Sequence, residues 1–106
     1  MITQADIEKV ANDIAEAIHA ERIVLFGSYA NGHADKNSDV DFLVVAESDQ
    51  PRYKRSRDLY QRIKPHRFPL DIIVYTPTEF NRSSKTPVSF VSQIMREGKT
   101  IYVRGA

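Results

Sequence analysis

The chain has 106 residues, no cysteine and a net charge of +1. Its length suits a single domain, and the lack of cysteine excludes disulfides and thiolate metal sites. The first residues lack the basic flank and apolar run of a signal peptide, and no stretch is long and apolar enough to cross a bilayer. We therefore expect a cytoplasmic protein with no membrane partner.

The charges are divided unevenly between the two halves of the chain. Residues 1–50 contain ten acidic and three basic residues, whereas residues 51–106 contain four acidic and twelve basic ones. Such an asymmetry is typical of a functional site or a partner surface. Tyr53 and Tyr60 lie on the predicted apolar face of the basic segment 52–64, so we expect them to be core residues. We interpret this segment as a solvated helix face, because no aromatic residues alternate with its exposed charges. Nucleic acid is therefore the less favoured partner.

The first half of the chain predicts a helix, a strand, a tight turn and a second strand. Apolar residues recur at helical spacing over residues 3–20, and Thr3 is suited to cap this helix. The short apolar run at 23–26 predicts a buried strand. One helical turn is expected at 29–31, and the next strand at 39–45.

The second half predicts helices that alternate with strands. The expected elements are a basic helix at 52–64, a strand at 70–75, a short turn at 78–80, a helix at 88–95 and a final strand at 101–103. This alternation in a short chain predicts an α/β fold. We expect one domain, residues 1–106, with a mixed β-sheet of three to five strands flanked by about four helices.

Three aspartates occupy unusual positions in the predicted strands. Asp39 and Asp41 are two residues apart on the second strand, so their side chains point to the same face while Val40 points to the other. Asp71 lies within an apolar run on the third strand. Anions beside an apolar core require compensation, and a hard cation such as Mg²⁺ provides it. If these strands are neighbours, the three carboxylates form a site suited to two metal ions.

A glycine–serine pair ends the first strand. Glycine lets the backbone approach a phosphate closely, and Ser28 offers a hydroxyl and an N–H at the start of a helical turn. Gly27 and Ser28 are therefore candidate nucleotide-binding residues, with the triphosphate between this turn and the metal ions.

The motif formed by Gly27-Ser28, ten residues and Asp39-Val40-Asp41 resembles the signature of the DNA polymerase β-like nucleotidyltransferase superfamily. The short chain is most similar to its minimal nucleotidyltransferases, and the resemblance implies the nucleotidyltransferase fold. It also implies that Asp39 and Asp41 bind two Mg²⁺ ions, that Asp71 completes the catalytic site, and that ATP is the co-substrate. Relatives often carry a basic residue where this chain has Asn31, which affects the triphosphate contacts and leaves the metal site unchanged.

The resemblance further implies a partner. Minimal members of the superfamily often pair with a HEPN-family protein in toxin–antitoxin modules, in which the nucleotidyltransferase resembles an antitoxin that adds AMP to a tyrosine of the toxin. Two alternatives remain open at this point: transfer to a small molecule or an RNA end, and a catalytically inactive module that neutralises its partner by docking. A homo-oligomer also remains open.

Overall fold

The computed structural model describes residues 2–63 and 65–105, which form five helices and four strands. The ends of the predicted domain, Met1 and Ala106, and the last residue of the predicted basic helix, Lys64, lie outside the described residues. The elements are α1 (Gln4–Ile18), β1 (Arg22–Phe26), α2 (Ser28–Asn31), β2 (Val40–Val45), α3 (Arg52–Arg62), β3 (Leu70–Tyr75), α4 (Pro77–Ser84), α5 (Phe90–Glu97) and β4 (Lys99–Val103).

The four strands form one mixed sheet in the order β3-β2-β1-β4. Strand β1 pairs antiparallel with β2 and with β4, and β2 pairs parallel with β3. The α/β fold with a mixed sheet is thus confirmed. The second and third strands are neighbours, which was the condition for bringing Asp71 close to Asp39 and Asp41. No helix in the described part of the chain is long and apolar enough to span a membrane.

The two faces of the sheet bury different clusters of apolar side chains. Helices α1 and α3 cover one face, where Ile14 and Leu59 pack with Phe42 of the central strand β2. Helix α5 covers the other face, where Val91 and Ile94 pack with neighbours that include Leu43. The alternation of side chains along a strand places Phe42 and Leu43 in these separate clusters.

Several predicted boundaries agree closely with the structure. The predicted strand 70–75 matches β3. Thr3 caps α1 through a capping box, because its hydroxyl accepts a hydrogen bond from Asp6 N while the Asp6 carboxylate accepts one from Thr3 N. The cap satisfies two backbone donors that a helix start leaves without partners.

Two predictions are wrong. Residues 78–80 do not form an isolated turn, because they belong to the eight-residue helix α4. A second capping box, between Thr76 and Glu79, starts this helix and stabilises it. In addition, Tyr53 and Tyr60 of the basic helix are not the core residues that helical spacing predicts, because they are 69% and 38% exposed.

Candidate active site

The topology brings Asp41 and Asp71 next to each other. Each is the second residue of its strand, and the parallel register of β2 and β3 pairs them directly. Asp39 lies immediately before β2, on the same side as Asp41 by alternation, while Val40 between them is fully buried in the opposite cluster. The strands therefore present three carboxylates at one corner of the face that α5 covers.

Gly27 lies against Asp41 from the other side. It follows Phe26, which pairs with Asp41 in the β1–β2 ladder. Its φ of 76° and ψ of −156° are strained for residues with a side chain, and a Cβ atom built at this position would overlap Asp41 Oδ2. Two independent requirements thus select glycine here. Ser28 follows as the first residue of α2, so the glycine–serine turn and the acidic corner are contiguous.

The three carboxylates form an acidic corner in which the pKa of Asp41 is shifted. Partial burial raises the pKa of the Asp41 carboxyl above its usual value, and the negative charges of Asp71 and Asp39 raise it further. Each of the other two carboxylates is therefore close enough to destabilise the Asp41 anion. Such a group of like charges at the edge of an apolar core favours the binding of a cation.

The three aspartates suit Mg²⁺, because their carboxylate oxygens are hard ligands that lie at neighbouring positions on two paired strands. Within residues 2–63 and 65–105, however, no three His, Cys, Asp or Glu side chains are already arranged as metal ligands. Like-charged carboxylates separate unless a cation lies between them. Asp39 and Asp71 are exposed, and exposed side chains exchange readily between staggered rotamers. The residues present are thus compatible with a metal site that closes only around the ion.

A cleft of about 510 Å³ opens beside the glycine–serine turn. Residues of β1, α2 and α5 line it. Two of them are aromatic: Phe26 and Phe90 meet edge to face with ring centroids 5.9 Å apart, and Phe90 is 47% exposed. The cleft cannot be predicted from a local sequence pattern, because it depends on how α5 packs against the end of β1. Asn31 also lines the cleft, and its Oδ1 accepts a hydrogen bond from His33 N at 3.0 Å.

Two basic residues of α3 make contacts with other side chains of the protein. The Arg55 side chain is only 9% exposed and binds the Glu79 carboxylate with both terminal nitrogens, at 2.7 and 3.2 Å. Arg52 lies over the Tyr75 ring at 4.1 Å from its centroid. The hydrogen bond from Arg55 is the main reason that the pKa of Glu79 falls to about 2. Part of the basic charge in residues 51–106 therefore stabilises the fold.

The fold and the corner geometry define a class of protein: an α/β domain in which acid-bearing neighbouring strands meet a glycine–serine turn is an architecture suited to phosphoryl transfer. A family model described as nucleotidyltransferase domain matches residues 7–101, and the chain belongs to this family. It is a nucleotidyltransferase, which confirms the resemblance drawn from the motif.

Two relatives from Methanocaldococcus jannaschii, both named "Putative protein adenylyltransferase", are similar in sequence. One is 31% identical over 78 residues, which cover 74% of this chain and 75% of the relative. The other is 28% identical over 102 residues, which cover 90% of this chain and 97% of the relative. The similarity to each therefore extends over most of both chains.

Two solved structures share the fold. A crystal structure described as a putative nucleotidyltransferase from Sulfolobus solfataricus superposes with a TM-score of 0.65 and 19% identity, over 94% of this chain and 79% of that one. A chain from a crystal structure described as a toxin–antitoxin with AMP-PNP superposes with a TM-score of 0.56 and 21% identity, over 98% and 76%. At these identities the likeness concerns the fold.

Proposed function

We propose that this nucleotidyltransferase is a cytoplasmic antitoxin that uses Mg²⁺ and ATP to add AMP to a tyrosine hydroxyl of a HEPN-family toxin partner. The observation that carries the proposal is the direct pairing of Asp41 with Asp71 in the β2–β3 register, with Gly27 packed against the Asp41 carboxylate. Acids on adjacent strands beside a glycine turn place prospective metal ligands next to a backbone that a phosphate can approach.

The residues have distinct roles in the proposed reaction. Asp39 and Asp41 would hold two Mg²⁺ ions, Asp71 would complete the ligand set of one of them, and the turn at Gly27 and Ser28 would contact the phosphates. When bound, the ions neutralise charge on the phosphates and on the leaving group. The acceptor oxygen forms a bond to the α-phosphorus while the bond from that phosphorus to the pyrophosphate oxygen breaks. Asp71 accepts the proton that the hydroxyl loses.

The choice of a protein acceptor has two lines of support. Both relatives carry the name "Putative protein adenylyltransferase", and one structural neighbour comes from a crystal structure described as a toxin–antitoxin with AMP-PNP. The HEPN identity of the partner and the tyrosine acceptor are proposed because the motif resembles that of minimal nucleotidyltransferases. The family match supports nucleotidyl transfer itself, whatever the acceptor.

The experiment is transfer of AMP to the partner, measured by intact mass. The chain, a candidate HEPN-family partner protein, ATP and Mg²⁺ are incubated, and the partner should gain the mass of one or more AMP groups while pyrophosphate is released. The double variant Asp39→Asn and Asp41→Asn should abolish the transfer, because both neutral side chains are poor ligands for a hard cation.

The matched control is Asp49→Asn, which removes an exposed carboxylate after the far end of β2 and should leave the transfer unchanged. If the double variant modifies the partner as fast as the parent does, the proposed metal role of these residues is wrong. If the partner binds tightly but gains no mass in any reaction, the chain acts by docking alone.

A further inference from the structure

Strand β3 carries Asp71 at the edge of the sheet. Its inner side pairs with β2, and its outer side faces α3 rather than another strand. Successive residues of a strand direct their backbone groups to alternate sides. The backbone groups of Asp71 therefore point toward β2, whereas those of Leu70 and Ile72 point outward.

The hydroxyl of Tyr60 satisfies both outward groups that flank Asp71. It donates a hydrogen bond to Leu70 O at 2.9 Å and accepts one from Ile72 N at 2.9 Å. One oxygen atom on α3 thus replaces the missing neighbouring strand over three residues. These two bonds attach the backbone on each side of Asp71 to the helix.

The other end of the strand is held by a different residue. Arg55 Nη1 donates to Val74 O at 3.1 Å, and this arginine is also paired with Glu79. Asp71 is the second residue of β3, where a strand frays most readily. Tyr60 therefore acts at the end of the strand that carries the carboxylate, whereas Arg55 acts at the end that carries none of the three acids.

We infer that Tyr60 is a positioning residue for the metal site, which fixes the backbone around Asp71 and so sets the position of its carboxylate relative to Asp41. The inference rests on the proposed role of Asp71 as a metal ligand. Tyr60 is not itself a catalytic residue, because its single hydroxyl proton is already donated to the backbone. Replacing an outer residue that orients a metal ligand typically weakens metal binding or activity by roughly 10- to 100-fold.

The test compares Tyr60→Phe with Tyr53→Phe in the full chain. Tyr53 lies on the same helix and is 69% exposed, so its variant removes a hydroxyl away from the strand edge. The probe is Mn²⁺ alone, with its dissociation constant measured by electron paramagnetic resonance. Tyr60→Phe should weaken Mn²⁺ binding by roughly tenfold, and Tyr53→Phe should leave it unchanged. Amide exchange at Ile72 should accelerate in Tyr60→Phe only.

A double variant separates positioning through Asp71 from general loss of structure. Asp71→Asn should weaken Mn²⁺ binding, and adding Tyr60→Phe to it should weaken binding no further, because the positioned ligand is already absent. Effects that multiply in the double variant would overturn the inference. So would unchanged Mn²⁺ affinity in Tyr60→Phe when exchange at Ile72 has accelerated.

The two proposals fail in different ways. Normal Mn²⁺ binding by Asp71→Asn and by Asp41→Asn would overturn the metal site and the role of Tyr60 together. Weak binding by both of these variants with normal binding by Tyr60→Phe would overturn the role of Tyr60 alone.

Discussion

The two faces of the sheet are built differently, although the same strands form both. In the part of the chain that the structure describes, seventeen buried apolar residues form the cluster beneath α1 and α3, whereas five form the cluster beneath α5. The face with the smaller cluster is the one that carries Asp41. A strand can thus contribute to the core on one face and expose charged groups on the other where the covering layer ends.

Asp41 and Phe42 are adjacent residues of β2 that point to the two different faces, so their variants test the difference directly. Phe42→Ala empties a fully buried site in the larger cluster and should lower the free energy of unfolding by about 3–5 kcal/mol. Asp41→Asn should abolish AMP transfer and leave the stability of the metal-free protein unchanged or higher, because it removes a carboxylate that Asp71 and Asp39 repel. Urea unfolding and a pyrophosphate-release assay measure the two effects.

The raised pKa of Asp41 also affects how the stability of the metal-free protein depends on pH. A carboxyl whose folded pKa is raised contributes stability below its unfolded pKa and loses that contribution as the pH rises through the folded value. Asp41→Asn should therefore raise the stability at neutral pH relative to the stability at acidic pH, compared with the parent. If Asp41→Asn lowered the stability of the metal-free protein at neutral pH as much as Phe42→Ala does, the distinction between the two faces would be contradicted.

A pair of glycines isolates the contact at the corner. Gly27 and Gly32 both have positive φ, at 76° and 81°, but a Cβ at Gly32 would meet no atom within 4 Å. Gly32→Ala should lower the free energy of unfolding by about 1–2 kcal/mol, because Gly32 is in the left-handed helical region. Gly27→Ala should lower it by about 1–3 kcal/mol, because the φ and ψ of Gly27 lie in a region almost exclusive to glycine. Only Gly27→Ala should also reduce the rate of AMP transfer, by roughly 100-fold, because the new methyl group displaces the Asp41 carboxylate.

Steady-state kinetics and urea unfolding on both glycine variants provide the check. Equal activity in Gly27→Ala and Gly32→Ala would show that contact between Gly27 and Asp41 has no part in the reaction.

The smallest effect is expected far from the corner, at the Arg55–Glu79 pair. Glu79→Gln removes the charge that two arginine nitrogens bind and should lower the free energy of unfolding by about 1–2 kcal/mol at neutral pH. The folded pKa of about 2 lies below the ordinary 4.5. This contribution is therefore complete above the ordinary value and declines as the pH falls through 4.5 toward 2.

Urea unfolding at neutral pH and near pH 2 measures this contribution. The parent and Glu79→Gln should differ at the first pH and converge at the second. A difference of the same size at both would mean that the ion pair does not stabilise the fold through charge.

The features that local patterns specify were predictable from the sequence. The separation of Asp39 and Asp41 by two residues predicts that they share a face of the sheet. The apolar run around Asp71 predicts β3 with its correct bounds. The capping box at Thr76 and Glu79 was equally local but was not recognised, and helix α4 was missed for that reason. A threonine followed three residues later by a glutamate was the available signal.

Features that depend on packing between elements were not predictable in the same way. Helical periodicity groups Tyr60 with Leu59 and Ile63 and so predicts a core position, yet the Tyr60 hydroxyl reaches the outer edge of β3. Its position depends on the rotation of α3 relative to the sheet, which no spacing within the helix specifies. The cleft beside Phe90 has the same origin, because α5 and β1 create it only when they pack together.

The central claim is that Asp39, Asp41 and Asp71 converge on divalent cations beside the turn at Gly27. Its most direct test is anomalous diffraction from crystals of the chain grown with Mn²⁺ and a non-hydrolysable ATP analogue. We expect manganese peaks within coordination distance of the three carboxylates, with the analogue's phosphates between the ions and the backbone of Gly27 and Ser28. Manganese bound elsewhere, or an analogue bound away from this corner, would contradict it.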